Sequence, residues 1–238
     1  MIEALANKQK WQKQLLQKAE TFHRLETSII VKISNQEATV YPGVHRPDIQ
    51  SLADFQVENI PVSANDRVLE IGCGSGAVTM ILCQECQHVT AIDISPVAVS
   101  NTKFNCRNST NVSVFQSDLF SKVPADQKFD NIIFNAPFFR IDPGDILHYA
   151  WCYHDNLFER FFEGSRSRLK TGGHIYLVYS SVGYLEDVLR PAELMGFNFK
   201  VIAATRAHLT IDIDEYYLLF DFTDCENQVF RDGMSASP

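Results

Sequence analysis

The sequence predicts an α/β protein built on a doubly wound, seven-stranded sheet that is mostly parallel and ends in an antiparallel hairpin. Three observations lead to this prediction. The apolar run Val68–Ile71 breaks into alternating glycines at residues 72–76, a pattern typical of a buried strand that turns sharply into a helix. From residue 66 onward, strand and helix patterns alternate. Only a short loop separates the last two strand patterns, so they should pair with each other.

The order of the elements follows from hydrophobic periodicity and from turn residues. Strands are predicted at 67–71, 88–93, 112–116, 130–134, 174–180, 198–205 and 213–222. Helices are predicted at 76–86, 96–107, 155–169 and 183–195. Alternation of this kind implies right-handed crossovers between parallel strands.

A separate segment precedes the sheet. It is predicted to hold a helix at 3–26, a β-hairpin made of strands 28–33 and 38–41, and a short helix from Arg46 toward Phe55. We divide the chain into this extension at 1–60, an α/β domain at 61–226 and a flexible tail at 227–238. The extension should cover one side of the sheet and frame a substrate pocket.

The composition is typical of a globular cytoplasmic enzyme. The 238 residues carry a net charge of -8, which speaks against a broad basic surface for nucleic acid. No apolar run approaches the ~20 residues of a membrane span, and the first residues lack the pattern of a secretory signal. Six irregularly spaced cysteines favour free thiols. Cys83 and Cys86 fall within a predicted helix and have no second pair, so no metal site is expected.

The glycine turn alone leaves the ligand open. Gly72, Gly74 and Ala77 also satisfy the relaxed dinucleotide pattern, and Asp93 lies about 20 residues on, where a ribose-binding acid belongs. A nicotinamide-dependent dehydrogenase is therefore one alternative. Glu70 argues against it, because a carboxylate two residues before Gly72 would repel a pyrophosphate and attract a cationic ligand.

Two further strand ends carry polar residues. Asp118 follows the third strand, where its carboxylate could accept a hydrogen bond from an adenine amino group. The fourth strand runs directly into Asn135-Ala-Pro-Phe138. With the glycine turn and Asp93, four successive strand ends then carry candidate ligand-binding residues.

In these residues the chain resembles the class I S-adenosylmethionine-dependent methyltransferases, whose fold is Rossmann-like. The resemblance covers roughly residues 40–222 and implies S-adenosyl-L-methionine as the cofactor. It implies that the glycine loop passes the methionine part, that Asp93 binds the ribose and that Asp118 approaches the adenine. The cofactor-binding residues expected on this basis are Glu70, Gly72, Cys73, Gly74, Gly76, Asp93, Ile94, Asp118, Leu119 and Asn135.

The segment Asn135-Ala-Pro-Phe138 predicts the chemistry. A planar nitrogen delocalises its lone pair, and a site can help by accepting hydrogen bonds from its N–H groups. We expect the Asn135 side chain and the Ala136 carbonyl to accept those bonds, Pro137 to stiffen the turn, and Phe138 or the next phenylalanine to stack on the acceptor.

The same segment is similar to the Asn-Pro-Pro-Tyr/Phe motif of N-methyltransferases, among them the release-factor glutamine methyltransferases of the "methyltransferase small" type. Residues 41–48 are also similar to the loop that those enzymes place against the cofactor pocket. Ala136 departs from the motif, since the family has proline there. The resemblance implies a protein glutamine or an RNA base as the methyl acceptor. A small molecule remains the main alternative, and a non-catalytic relative that only binds the cofactor is a further one.

Other residues have two possible roles each. The segment holding His148, Trp151, Tyr153 and His154 either caps the acceptor pocket, with a histidine as general base, or is a loop anchored by aromatic residues. His45 and Arg46 either line the pocket or lie at the surface. Asp212 and Asp214 are expected to face solvent.

Overall fold

The computed structural model describes residues 2–49, 52–154, 156–206 and 215–225, with residues 2–7 described by their backbone alone. One seven-stranded sheet has the strand order β5-β4-β3-β6-β7-β9-β8, and β1 and β2 form a separate hairpin. Within the described ranges, no helix combines the length and the apolar character needed to cross a membrane.

The strands and helices lie close to their predicted positions. The strands are β1 Ile29–Ile33, β2 Gln36–Val40, β3 Arg67–Ile71, β4 His88–Asp93, β5 Val112–Gln116, β6 Phe129–Asn135, β7 Leu169–Ser180, β8 Phe197–Arg206 and β9 Tyr216–Asp224. The helices are α1 Ile2–His23, α2 Leu52–Asn59, α3 Ala77–Leu82, α4 Pro96–Asn105, α5 Leu157–Arg168 and α6 Leu185–Leu194.

The topology confirms the predicted doubly wound sheet with an antiparallel end. The strands from β3 to β7 pair in parallel, whereas β9 pairs antiparallel with both β7 and β8. The chain leaves β3 toward β4 on one side and later returns to place β6 on the other side. A ligand crevice therefore opens at the carboxyl ends of β3 and β6, where the winding direction reverses.

The central strands form the core. Val68, Leu69 and Ile132 are fully buried, because helices cover both faces of the sheet and leave no solvated face. Phe161 and Phe162 of α5 are also fully buried and pack against each other at 4.9 Å between ring centroids.

The amino-terminal hairpin is attached to the sheet domain through α4. The Asn101 side chain accepts a hydrogen bond from the Tyr41 N–H at 2.9 Å and donates one to the Thr39 carbonyl at 2.8 Å. Asn105 donates to the carbonyls of both Thr39 and Ser75. These bonds hold the segment after the hairpin beside the glycine loop, which residue 75 belongs to.

Two helices differ from the prediction at their ends. Helix α3 ends at Leu82, so Cys83 and Cys86 both lie beyond the helix in which we expected them. The Asn111 side chain causes this early end, because it donates to the carbonyls of Cys83 and Cys86. Helix α2 begins at Leu52 rather than at Arg46. Asp212, Asp214, the start of the last predicted strand and the tail at 227–238 lie outside the described residues.

Candidate active site

A cavity of about 280 Å³, called the cofactor-sized cavity below, lies at the carboxyl ends of the parallel strands. Most of the predicted site residues line it, namely Glu70, Gly72, Cys73, Gly74, Asp93, Ile94, Asp118, Leu119, Asn135 and Pro137. Three others, Gly76, Ala136 and Phe138, are not among the lining residues. The structure therefore brings residues from four strand ends to a single cavity.

The glycine loop is bonded to the neighbouring strand. The Gly74 N–H donates to the Asp93 carboxylate at 2.9 Å, and the Gly72 N–H donates to the Ile92 carbonyl at 2.8 Å. Gly74 has a φ of +56°, a conformation that side chains other than glycine disfavour. The loop is therefore held open beside the cavity by Asp93.

Gly76 is required for helix packing rather than for ligand approach. It precedes α3 with a φ of +79°, and a Cβ atom there would lie 2.8 Å from the Thr102 methyl group of α4. The two helices can approach this closely only because residue 76 has no side chain.

Glu70 lies at the bottom of the cavity and is 5% exposed. Its carboxylate accepts a hydrogen bond from the Thr79 hydroxyl. Burial raises the pKa of Glu70 to about 8, and the negative charge of Asp93 adds to this, while the bond from Thr79 opposes it. The carboxyl group is thus largely protonated near neutral pH and would ionise if a cation bound beside it.

Asp93 is half-buried, and both of its oxygens accept hydrogen bonds from the backbone. One oxygen accepts from the Gly74 N–H, and the other accepts from the Ser95 N–H at 2.8 Å. Burial raises the pKa of Asp93 above its usual range, and these backbone bonds limit the shift. The carboxylate therefore fixes the loop and still borders the cavity with its remaining lone pairs.

Asp118 is bonded to a residue that the sequence did not indicate. The Arg160 guanidinium of α5 donates to its carboxylate at 2.6 Å, and both residues line the cavity. No local motif marks Arg160, because it lies 42 residues from Asp118 in the chain and meets it only after α5 packs on the sheet.

A small pocket of about 20 Å³ adjoins the cavity. The two share four lining residues, namely His45, Leu52, Asn135 and Ala150. Glu215 and Tyr217 of the carboxyl-terminal hairpin line the pocket, and so do Leu15, Ala19 and His23 of α1. Residues of the extension thus line this pocket, and its role as a substrate pocket stays a prediction.

The Phe138 ring lines the small pocket. It contacts Phe139 at 4.6 Å and Tyr217 at 6.0 Å between ring centroids, and it is buried. Ala136 is 1% exposed and lies on neither cavity. The stacking role of Phe138 and the hydrogen-bonding role of the Ala136 carbonyl remain predictions.

In the segment from 147 to 154 the aromatic anchor is present, whereas its capping of the acceptor pocket and a histidine general base stay predictions. Tyr149, Tyr153 and His154 line the cofactor-sized cavity, whereas Trp151 is buried against His23 and anchors the segment. His148 instead points to α1, where its Nε2 atom lies 2.6 Å from the Glu20 carboxylate.

Glu20, Asp145 and His148 form the one group in the described part of the chain whose ligand atoms are close enough to hold a metal. Arg24 already pairs with both carboxylates, at 3.1 and 2.9 Å. The His148 Nδ1 atom accepts from the Gly144 N–H, so its proton lies on Nε2, toward Glu20. The group therefore joins α1 to the loop through a complete set of hydrogen bonds.

Comparison with known proteins assigns the chain to a family. Residues 41–206 match the family described as methyltransferase small domain. The chain belongs to this family. It is accordingly an S-adenosylmethionine-dependent methyltransferase, and the carboxyl groups of Glu70 and Asp93 in the cavity suit that cationic cofactor. The dehydrogenase alternative is thereby rejected.

Two named relatives align over most of the chain. A Methanocaldococcus jannaschii protein, provisionally named a protein N5-glutamine methyltransferase, is 28% identical over 184 residues, which span 74% of this chain and 91% of that protein. A release factor glutamine methyltransferase of Shewanella oneidensis is 29% identical over 182 residues, spanning 68% of this chain and 60% of the relative.

A solved structure shares the fold. The tRNA m1G37 methyltransferase of M. jannaschii has a TM-score of 0.61 and 20% sequence identity, and the match covers 83% of this chain and 57% of that one. This likeness supports the architecture described above.

Proposed function

We propose that this methyltransferase transfers the methyl group to the side-chain amide nitrogen of a protein glutamine. One observation carries the proposal. Asn135, at the end of β6, lies where the cofactor-sized cavity meets the small pocket, so its side chain borders both. A carboxamide in the pocket would present its nitrogen at that junction.

The cofactor orientation follows from the charges. S-adenosylmethionine supplies an electrophilic methyl group on a sulfonium. Glu70 receives the ammonium end, Asp93 the ribose hydroxyls and Asp118 the adenine edge. Arg160 positions the Asp118 carboxylate through its 2.6 Å bond. In this orientation the methyl group would face Asn135, because Asp93 and Asp118 lie at the carboxyl ends of β4 and β5, on the other side of β3 from β6.

Asn135 then orients the acceptor. Its side-chain oxygen accepts one N–H of the glutamine amide. The Ala136 carbonyl is predicted to accept the other, although Ala136 is 1% exposed and lines neither cavity in the free protein. These bonds fix the nitrogen in line with the carbon–sulfur bond and stabilise the positive charge that develops as the nitrogen bonds to carbon. Pro137 restricts the turn that carries both groups.

Three further facts support a glutamine over the alternatives. Both named relatives described above carry glutamine methyltransferase names. The net charge of -8 opposes an extended RNA footprint, since each phosphate contact needs a lysine or arginine. The adjoining pocket of about 20 Å³ is far smaller than the cavity of about 280 Å³, which speaks against a whole metabolite as its occupant.

A protein acceptor of this kind fits a cytoplasmic enzyme. All six cysteines are free thiols, and five of them are buried, as expected in a reducing compartment. Division of the chain into an extension at 1–60, a methyltransferase domain at 61–226 and a tail at 227–238 is part of the same proposal.

The test is to incubate the purified protein with cell lysate and tritiated S-adenosylmethionine. Labelled material is separated into protein, RNA and small-molecule fractions, and labelled protein is digested and analysed by mass spectrometry. N5-methylglutamine is the expected product. Label that ribonuclease releases, or label in the small-molecule fraction, would overturn the glutamine assignment.

Asn135→Ala tests the role of Asn135 in the same assay. The variant should bind S-adenosylhomocysteine normally and lose transfer by about 100-fold or more, because the amide is no longer oriented. Asn59→Ala is a matched control, since the Asn59 side chain, among the described residues, donates only to the Phe55 carbonyl at the end of α2. Equal transfer by Asn135→Ala and Asn59→Ala would refute the role of Asn135.

A further inference from the structure

The junction between the two cavities holds a second polar side chain besides Asn135. The four residues that line both cavities are Leu52, Ala150, Asn135 and His45. Leu52 and Ala150 offer only apolar side chains. His45 is therefore the only basic group, among the described residues, that borders both the cofactor-sized cavity and the small pocket.

The His45 ring is held in place by two other rings. It stacks on His23 with 4.1 Å between centroids and an interplanar angle of 27°, and it contacts Trp151 at 5.3 Å. His23 is in turn fixed, because its Nδ1 atom accepts a hydrogen bond from the Arg46 N–H at 3.0 Å. The loop carrying His45 and the helix carrying His23 thus position the imidazole.

The ring nitrogens of His45 remain available. Within the described ranges, neither of them takes part in a hydrogen bond, although His23 stacks on the ring and Trp151 contacts it at a tilt. Burial lowers the pKa of His45 to about 4, against the opposing pull of the Asp48 carboxylate. The imidazole is therefore neutral at pH 7, with one nitrogen free to accept a proton.

Methyl transfer to a nitrogen that carries hydrogen needs a group that can accept a proton. The lone pair of the acceptor nitrogen forms a bond to the methyl carbon while the carbon–sulfur bond breaks and leaves its electron pair on sulfur. The nitrogen then carries a positive charge and must lose a proton. A methylated amide that still carries both hydrogens is a strong acid, so even a weakly basic imidazole can accept the proton.

We propose that His45 accepts the proton that the acceptor nitrogen loses on methylation. This inference rests on the proposed function in that the acceptor must carry an N–H group, but it does not depend on which N–H acceptor is used. His45 then releases the proton to solvent when the products leave. The other nearby histidine, His23, is bonded to the backbone through Nδ1 and lines only the small pocket.

The test compares two variants in single-turnover transfer, using whichever acceptor takes up label in the lysate experiment. His45→Phe keeps a ring against His23 and Trp151 but has no basic nitrogen, and it should transfer about 100-fold more slowly. His45→Ala should be equally slow and should recover at least tenfold when imidazole is added. Pyrrole, which has a similar shape but no basic nitrogen, should not restore it.

Two controls separate this role from a structural one. His88→Phe, at the opposite end of the sheet, should keep the wild-type rate. S-adenosylhomocysteine affinity and thermal stability are measured for every variant and should be unchanged in His45→Phe. Normal transfer by His45→Phe, equal rescue by pyrrole, or a matching loss of S-adenosylhomocysteine affinity would each overturn the proposal.

The two proposals fail in different ways. The chemical identity of the methylated group decides the glutamine assignment. The rates and the imidazole rescue decide the role of His45, whichever acceptor is methylated.

Discussion

Replacing Glu70 by glutamine should abolish a release of protons that accompanies cofactor binding. The pKa of Glu70 is about 8 in the free protein, so about nine-tenths of the molecules carry a proton there at pH 7. An ammonium group beside Glu70 favours the ionised form. Binding at pH 7 should therefore release about 0.9 proton per site.

The same linkage sets the size of the pH effect on affinity. Below pH 8 each unit of pH should change the dissociation constant by up to tenfold, or about 1.4 kcal/mol. The affinity of the wild type should rise between pH 6 and pH 8, whereas that of Glu70→Gln should be nearly flat. Asp93 is present in both proteins, so the difference isolates Glu70.

Isothermal titration calorimetry with S-adenosylhomocysteine measures both quantities. Titrations at pH 7 in two buffers of different ionisation enthalpy give the number of protons released, and a pH series gives the slope. Parallel slopes in wild type and Glu70→Gln, with no proton release by the wild type, would refute the reasoning that places a cation at Glu70.

The free energy of unfolding of the free protein should fall as pH rises, whereas the affinity for the cofactor should increase. The folded state holds the Glu70 proton up to about pH 8, whereas an unfolded chain loses it near the usual value of 4.5. The folded state therefore binds more protons within that interval, and the free energy of unfolding should fall as pH rises through it. Thermal unfolding of Glu70→Gln should lack this contribution, and an identical pH dependence would contradict the raised pKa.

Two other substitutions test the glycine loop. Asp93→Ala removes the acceptor for the Gly74 N–H and should weaken S-adenosylhomocysteine binding by about 1.5–3 kcal/mol; unchanged affinity in calorimetry would exclude Asp93 from the site. Gly76→Ala places a Cβ atom 2.8 Å from Thr102 and should cost about 2 kcal/mol or more in urea unfolding. Gly172→Ala is its control, because that glycine has a similar φ of +77° and no neighbour within 4 Å, so a loss as large as that of Gly76→Ala would refute the packing argument.

Local sequence patterns were sufficient to predict the strands of the sheet, the glycine loop and the polar residues at the strand ends. Strand β3 and the glycine turn after it are adjacent in the chain, and their conformations depend on short-range sterics and on burial. The carboxyl ends of parallel strands meet at one edge, so Asp93, Asp118 and Asn135 had to lie near the glycines once the alternation was recognised.

Helix ends were less predictable, because side chains from elsewhere in the sequence determine them. Residues 83–86 have helical character, but Asn111 binds the carbonyls that would continue α3. The intrinsic preference of these residues is small compared with such hydrogen bonds. Nothing near Cys83 in the sequence indicates the partner.

Only the tertiary structure decided which side chains complete the site. Arg160 reaches Asp118 because α5 packs on the sheet, and His45 reaches the junction because α4 holds the hairpin beside the glycine loop. The sequence by itself determined the fold, the glycine loop and the acids at the strand ends, all of which follow from local conformation and strand order. Contacts between distant segments depend on the packing of whole elements, which short patterns do not encode.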